Sequence, residues 1–230
     1  MFTGFTDDTL QFFLDLKFHN NTAYFHQEHD RYVETVQQPF YALIEELAPT
    51  MRKIDPLMEI RPHKCLSRIH RDTRFSKDKS PYRDHLWFLF RRAGEPREQS
   101  LFYYFEFGVD RLSWGMGIWG ENRELMDQFR RRMRANPEGI LALLDDMRLD
   151  RRRLLPGGSH FRRMEIPPEI PERLKPWYTY KEMYVGKMDP KFPMAFSEDL
   201  APTLKKDYRA LAPLYRLMRG MLDEMETKGE

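Results

Sequence analysis

The densest group of chemically active side chains lies between Arg68 and Arg83, which reads RIHRDTRFSKDKSPYR. From Arg61 to Arg83 the chain has eight Lys and Arg against two Asp, a net charge of +6, whereas the rest has 30 basic and 34 acidic residues, a net charge of −4. A guanidinium group can donate two parallel hydrogen bonds to the oxygens of one carboxylate or phosphate, and lysine adds a mobile point charge. The motif therefore predicts a site for a small anionic ligand, such as a phosphate ester, a nucleotide or an acidic metabolite.

The predicted ligand-binding residues are the cations of this motif together with its carboxylates, one serine and one tyrosine. They are Arg68, Arg71, Asp72, Arg74, Ser76, Asp78, Lys79, Tyr82 and Arg83. If a reaction follows binding, His70 or Asp72 is the candidate proton carrier, and the arginines would stabilise negative charge that develops in a phosphoryl or acyl transition state. The sequence leaves open whether any reaction occurs.

Three other interpretations of the motif stay open. Its cations can pair with Asp72, Asp78 and acidic residues elsewhere such as Glu106, which would make the motif an internal ion-pair network. The cations can instead bind an acidic partner protein. They can also bind nucleic acid, a less favoured alternative, together with the arginines at 130–134, 151–153 and 162–163.

Signals for other chemistries are sparse. His26 and His29 share a helix face, but their spacing is not that of a zinc-protease helix, so no metal ligands are assigned and no cofactor is indicated. Cys65 lies beside Lys64, yet a lone cysteine is more often a small buried apolar group. The chain has no phosphate-binding P-loop, no dinucleotide fingerprint, no nucleophile elbow and no Cys-x-x-Cys pair.

Helices are predicted for the first part of the chain, at about 6–50. Thr6 is a plausible N-cap, the Asn20-Asn21 pair separates the first helix from the second, and an apolar face continues from Phe25 to Leu47 at steps of three and four residues. Pro39 lies within that register. Because proline removes one amide and collides with the preceding turn, we expect a kink or a brief break there.

The part of the chain at about 62–119 is predicted to form a sheet. Short aromatic and β-branched runs place strands near His63 to His70, His85 to Arg91, Leu101 to Phe107 and Leu112 to Ile118, the last three as an antiparallel meander. The unbroken apolar run from Trp87 to Phe90 suggests a central strand covered on both faces. Gly115 and Gly117 suggest close approach of another backbone or of a ligand.

The last part, at about 121–224, is predicted to be mainly helical. Asn136-Pro137 reads as a helix start, a strand is possible within Tyr178 to Gly186, and a closing helix is disturbed at Pro213. The order of elements predicts an α+β fold, with a central antiparallel sheet flanked by helices from both terminal segments. We expect a single domain over residues 1–230.

Composition limits the class of protein. The chain has 230 residues with 41% hydrophobic and 32% charged side chains, one cysteine and a net charge of +2. No signal-peptide apolar region and no apolar run near 18 residues is present, so we expect a cytoplasmic protein that does not enter the membrane. The oligomeric state is not indicated.

Several of these segments resemble a bacterial family of conserved domains of unknown function, family 2461, over nearly the whole chain. They are Phe2 to Phe5, Asn20-Asn21 before Tyr24-Phe25, the motif from Arg68 to Arg83, Trp114 to Trp119, and Tyr208 to Leu214. The family usually has Trp-Phe at Tyr24-Phe25 and Tyr-Lys at Tyr82-Arg83. The first difference keeps an aromatic ring and the second keeps a positive charge. The resemblance implies a bacterial protein but no particular activity, cofactor or partner.

Overall fold

The computed structural model describes residues 2–74, 77–95, 100–118, 120–188 and 193–229. Helices come from the N- and C-terminal segments and the strands form a five-stranded antiparallel sheet, which confirms the predicted α+β fold. The chain divides into two compact units. Unit 1 comprises Met1–Phe90, Tyr104–Trp114 and Met188–Lys206, and unit 2 comprises Arg91–Tyr103, Gly115–Lys187 and Asp207–Glu230.

The strands of the sheet are, in chain order, β1 (His85–Phe90), β2 (Leu101–Gly108), β3 (Arg111–Ile118), β4 (Leu155–Gly157) and β5 (Tyr184–Met188). Their order in the sheet is β1-β2-β3-β5-β4, so the predicted meander of three strands is confirmed. The two strands from the later part of the chain pair antiparallel, with Leu155 opposite Gly186 and Gly157 opposite Tyr184.

Strand β1 stands first in this order, so the prediction that it is a central strand was wrong. Its apolar run has another cause: the chain at Leu66 and Ser67 covers its outer edge. Leu66 forms an isolated bridge with Phe88, and the Ser67 amide donates to the Trp87 carbonyl at 2.8 Å. The edge strand is thereby shielded without a full neighbouring strand.

The predicted strand from His63 to His70 is also wrong. Pro62–Cys65 forms a short helix, α5, with proline at a first-turn position that suits its fixed φ. Beyond it the chain is extended, but it makes isolated bridges rather than a continuous ladder.

The N-terminal part contains helices α1 (Asp7–Phe18), α2 (Thr22–Gln27), α3 (His29–Tyr32) and α4 (Gln38–Ile54). The predicted irregularity near Pro39 takes the form of a π-helical turn at Val33–Gln37, between α3 and α4. Pro39 has no amide to offer the Thr35 carbonyl four residues earlier. The buried Thr9 hydroxyl donates to that carbonyl instead, at 2.6 Å.

Unit 1 has a core built largely from phenylalanine rings. Phe5 lies 4.9 Å from Phe40 and 4.7 Å from Phe107 between ring centroids, and Phe88 lies 5.3 Å from Phe105. These rings come from the N-terminal segment, from α4 and from strands β1 and β2. The aromatic core therefore fixes α4 against the strands of this unit.

The later part of the chain forms helices α6 (Arg123–Ala135), α7 (Pro137–Met147), α8 (Leu149–Arg152), α9 (Lys175–Tyr178) and α10 (Leu200–Gly229), with 3₁₀ turns at Glu172–Leu174 and Pro193–Phe196. The predicted start at Asn136-Pro137 is confirmed, since the Asn136 side chain accepts from the Gly139 amide at 2.9 Å. The predicted disturbance at Pro213 does not end α10, which continues through it.

The two glycines of β3 are explained by a neighbouring backbone. A Cβ atom on Gly115 would collide with the Val185 carbonyl oxygen, and one on Gly117 would lie 2.9 Å from the Met183 carbonyl oxygen. The sequence predicted either another backbone or a ligand beside these glycines, and the backbone around β5 occupies that space. We do not assign this strand to a pocket wall.

Candidate functional site

The Arg68–Arg83 motif folds back on itself. Its two ends run antiparallel, with His70 bridged to Tyr82. The Arg71 amide donates to the Pro81 carbonyl at 2.8 Å, and the Arg83 amide donates to the Ile69 carbonyl at 3.0 Å. We call the connecting residues 72–80 the basic loop; Phe75 and Ser76, the latter a predicted ligand-binding residue, lie outside the described residues.

The turn between α1 and α2 holds the returning end of the motif. The Asn20 side chain accepts from the Tyr82 amide at 2.9 Å and donates to the Tyr82 carbonyl at 3.0 Å, in the manner of a neighbouring strand. The Tyr82 ring stacks on Phe25 with 4.2 Å between centroids and is only 3% exposed. Tyr82 is therefore packed into unit 1 and does not present its ring to a ligand.

Arg71 and most cations of the basic loop have partners within the loop. Arg71 pairs with Asp78 at 3.0 Å, Arg74 pairs with Asp72 at 2.7 Å, and the Lys79 ammonium donates to the Thr73 carbonyl at 2.8 Å. The loop therefore uses much of its positive charge to hold its own shape.

The two carboxylates of the loop are correspondingly stabilised in their charged form. Hydrogen bonds from Arg74 lower the pKa of Asp72 to about 2. Hydrogen bonds from Ser80, followed by attraction from Arg71, lower the pKa of Asp78. Both groups are strong local acceptors, and Asp72 is a poor proton carrier near neutral pH.

Arg83 joins the two ends of the motif. Its guanidinium donates to the Arg68 carbonyl at 2.8 Å and also to the His70 carbonyl. It lies over the Trp87 ring, 4.9 Å from the centroid. Glu106, which the sequence offered as a further partner for the motif, instead pairs with Arg111 at 3.3 Å and approaches His85 at 3.6 Å.

Arg68 differs from these cations. It is exposed, and within the described part of the chain its guanidinium makes no hydrogen bond and no ion pair. Its charge does help to keep the pKa of Asp72 low, after the larger effects of Arg74. Lys77 is also exposed and has no ion pair with any described residue.

Arg68 lines an open cleft of about 240 Å³ in unit 1, which we call the histidine cleft. Its wall combines imidazoles, phenols and amide or hydroxyl groups with a few apolar side chains. The lining residues are Phe25, His29, Tyr32, Gln37, Tyr41, His63, Leu66, Ser67, Arg68, Ile69 and His70. Donors of several kinds thus converge beside one cation without an ion-pair partner among the described residues.

One side of the histidine cleft is formed by the π-helical turn. π-Helical turns inside α-helices occur frequently at functional sites, because the extra residue changes where the following side chains project. Here the turn ends at Gln37, which hydrogen-bonds Tyr32 across it, and Tyr41 follows one turn later. Burial raises the pKa of Tyr32 to about 12, so its phenol stays neutral at physiological pH.

The structure thus separates the predicted site residues. Arg68 and His70 line the histidine cleft, whereas Arg71, Asp72, Arg74, Asp78, Lys79, Tyr82 and Arg83 do not.

Several lining side chains that could contact a ligand are not among the predicted site residues, in particular His29, His63 and Tyr41. The sequence signal nearest to them is Pro39, which predicts an irregularity close to the observed π-helical turn.

The arginines of unit 2 are likewise divided. Arg130 is buried, and its guanidinium donates to the Tyr178 carbonyl at 2.8 Å and to the Tyr180 carbonyl, while Asp127 pairs with it at 2.7 Å. Arg132 pairs with Glu224. Other arginines of this unit are exposed, among them Arg131, Arg134, Arg148, Arg151, Arg153, Arg162 and Arg163.

Other candidate chemistries receive little support from the geometry. Cys65 is buried and its thiol donates to the Glu59 carbonyl at 3.3 Å. Across the described ranges, no group of three or more His, Cys, Asp or Glu side chains is arranged to hold a metal ion. No helix in the same ranges has the length and apolar character needed to cross a membrane.

Comparison with known proteins gives a family and no activity. No curated protein matches the chain. A family model described as "Conserved hypothetical protein (DUF2461)" matches residues 8–217. This range covers the histidine cleft, the basic loop and most of unit 2, so the chain belongs to the DUF2461 family.

Proposed function

We propose that this protein binds a small organic anion bearing a carboxylate or phosphate group in the histidine cleft. Arg68 would provide the positive charge. His29, His63 and His70 would provide further donors, and the rings of Tyr41 and Tyr32 would contact the body of the ligand. The proposal keeps the ligand class predicted from the sequence but changes the residues that bind it.

One observation carries this proposal. Arg68 lines the same cleft as three histidines, and its guanidinium makes no ion pair to a described residue. A guanidinium in that position has its full set of donors available for a carboxylate or phosphate. The histidine side chains add hydrogen-bond donors in the same cleft.

The rest of the motif has a supporting role in this proposal. Arg83 holds the carbonyls of Arg68 and His70, which fixes the backbone from which both cleft side chains extend. The ion pairs Arg71–Asp78 and Arg74–Asp72 hold the basic loop. We therefore treat the internal ion-pair network as the scaffold of the site and not as its replacement.

Any proton transfer in the cleft would involve His70 and not Asp72. His70 lines the cleft, whereas Asp72 lies outside it with a pKa near 2 and an arginine bound to its carboxylate. His70→Ala should then remove turnover of a substrate bound there, and Asp72→Asn should have little effect on it. The proposal itself concerns binding.

We also propose a bacterial, cytoplasmic setting. The thiol of Cys65 is buried and hydrogen-bonded to a carbonyl, an arrangement suited to a reducing compartment. Fractionation of the native host, followed by detection of the protein, would test this setting. Recovery in a membrane or extracellular fraction would contradict it.

Nucleic acid is the second candidate ligand, and the exposed arginines of unit 2 favour it. Arg153, Arg162 and Arg163 are exposed, have no ion pair with any described residue and line neither the histidine cleft nor the cleft around the end of α7 in unit 2. Binding to duplex phosphates would weaken steeply with salt, with a logarithmic slope of about −0.9 for each phosphate contacted. A slope near zero with short duplexes would exclude this mode.

A thermal-shift screen tests the main proposal. The panel contains nucleotides, sugar phosphates, polyphosphate, dicarboxylates and short oligonucleotides, with wild type, Arg68→Ala and Arg74→Ala in parallel. A ligand at 100 times its dissociation constant stabilises the folded state by about 2.7 kcal/mol, which is a measurable shift.

We expect a shift for one class of small anion that is lost in Arg68→Ala and kept in Arg74→Ala. Two outcomes count against the proposal. One is the absence of a shift with every anion. The other is a shift that survives in Arg68→Ala while that variant remains folded.

A further inference from the structure

A second cleft, in unit 2, lies around the end of α7 and the short helix α8. Its volume is about 470 Å³. Three arginines line it, Arg148, Arg151 and Arg173, beside an apolar side that includes Leu149 and Trp177. We call it the tryptophan cleft; all of its lining residues belong to unit 2.

The three arginines differ in their availability. Arg173 pairs with Asp145, and the bond raises the pKa of Arg173 and lowers that of the carboxyl. Arg148 and Arg151 are exposed, and neither forms an ion pair or a side-chain hydrogen bond with any residue that the structure describes. Two guanidinium groups are therefore available at one cleft.

Arg148 is held in a backbone conformation that arginine rarely adopts. Its φ is 50° and its ψ is 47°, in the left-handed region, at the C-cap of α7. Glycine is the usual residue at this position of a helix end, since any Cβ atom is strained there. The sequence keeps a long cationic side chain where glycine would fit with less strain, and that side chain lines the cleft.

The same segment contains a close comparison. Arg153, at the C-cap of α8, has a φ of 56° and a ψ of 35° and is also exposed. Its backbone is strained in the same way, but it is not among the residues that line the cleft. Substitutions at Arg148 and Arg153 should therefore have similar effects on the helix ends, but only a substitution at Arg148 should change the cleft.

We infer that the tryptophan cleft is a binding site for an amphipathic organic anion, with a carboxylate or phosphate head on an apolar body. Arg148 and Arg151 bind the head, and Leu149 and the cleft-lining side of Trp177, a residue that is 7% exposed, contact the body. Paired guanidinium groups suit such a head. The cleft wall also has two carboxylates, of which Asp145 is paired with Arg173, and the apolar side of Leu144, Leu149, Pro156 and Trp177 suits such a body. This site is separate from the proposed function of the histidine cleft.

The experiment uses phenyl phosphate as the amphipathic probe and inorganic phosphate as the head alone. The four tryptophans give four indole N–H signals in a nitrogen-15 NMR spectrum, and Trp177→Phe identifies the signal of Trp177. We expect phenyl phosphate to shift the Trp177 signal saturably, and to bind about tenfold more weakly in Arg148→Gly, because a charge-assisted hydrogen bond is lost.

Arg153→Gly is the matched control. Both glycine variants should keep or raise the melting temperature, because glycine relieves the strain, but Arg153→Gly should bind phenyl phosphate as wild type does. An unmoved Trp177 signal, equal weakening in both glycine variants, or equal affinity for inorganic phosphate would each overturn the proposal.

Discussion

The two basic regions of the chain look alike in the sequence and differ in the structure. In the Arg68–Arg83 motif of unit 1, most cations bind carboxylates or carbonyls of the same motif. Arg68 instead lines a cleft together with three histidines. In unit 2, Arg130 is buried against two carbonyls, and Arg148 and Arg151 line a cleft with an apolar side.

This difference shows that the number of cations in a segment overstates the charge available to a ligand. A guanidinium that already donates to a carboxylate or to two carbonyls has few donors left. The useful quantity is the number of cations that line a cleft and have no internal partner. By that measure, each unit has a cleft lined by exposed arginine without an ion pair to any described residue, and these two clefts are where we propose ligands bind.

The largest expected effect distinguishes a structural arginine from a surface arginine in unit 2. Arg130→Ala should destabilise the protein by about 3 kcal/mol, because the side chain is buried and its loss removes the guanidinium donors to two carbonyls and the closer of the two arginine partners of Asp127. Urea unfolding measures this loss. Arg131→Ala, at an exposed position, should change stability by less than about 0.5 kcal/mol; equal losses would show that burial does not separate the two arginines.

The second effect concerns a phenol in the wall of the histidine cleft and appears only at alkaline pH. Burial raises the pKa of Tyr32 to about 12 from 10.0, so the unfolded chain ionises this group first. The resulting stability is present below pH 10 and is lost as pH rises toward 12, by roughly 2 to 3 kcal/mol for this group.

Tyr32→Phe should therefore flatten the decline of the free energy of unfolding between pH 10 and pH 12. Tyr184→Phe, at a tyrosine that is 44% exposed, is the control and should leave the decline unchanged. The assignment to Tyr32 fails if both variants decline like the wild type.

The third effect tests the attachment of the motif to the N-terminal helices. Asn20→Ala removes both hydrogen bonds to the Tyr82 backbone and should destabilise unit 1 by about 2 kcal/mol. Asn20→Asp keeps an acceptor for the Tyr82 amide but loses the donor to its carbonyl, so its loss should be smaller. Thermal unfolding ranks the two; a silent Asn20→Ala would mean that the motif is held by its ring packing alone.

The smallest effect tests the surface character of the basic loop. Arg74→Ala breaks an ion pair in which the arginine side chain is 76% exposed, and exposed pairs contribute little to stability. We expect a change below about 0.5 kcal/mol in chemical denaturation. A loss comparable with that of Arg130→Ala would make the loop a structural core and would remove the contrast between the two regions.

The sequence predicts much of the fold because local signals agree with it. The three-strand meander, the helix start at Asn136 and the irregularity near Pro39 each have a residue-level cause that needs no distant contact. The position of β1 in the sheet could not be predicted, because an apolar run is compatible with a central strand and with an edge shielded by Leu66 and Ser67.

The site could be predicted only in part, for a different reason. Composition located the Arg68–Arg83 motif, but which of its cations have internal partners depends on how the chain folds back on Asn20 and Phe25. His29 and Tyr41 line the same cleft as Arg68 although they are distant from it in the sequence. The tryptophan cleft gave no sequence signal, because a left-handed arginine is visible only as a backbone angle.

The central claim is that Arg68 binds the anion and that the paired cations of the motif do not. Its most direct test is the dissociation constant for inorganic pyrophosphate, a compact polyanion, measured by calorimetric titration in wild type, Arg68→Ala and Arg74→Ala. The account predicts at least about tenfold weaker binding in Arg68→Ala and nearly unchanged binding in Arg74→Ala. Equal weakening in the two variants, or a stronger loss in Arg74→Ala, would contradict it.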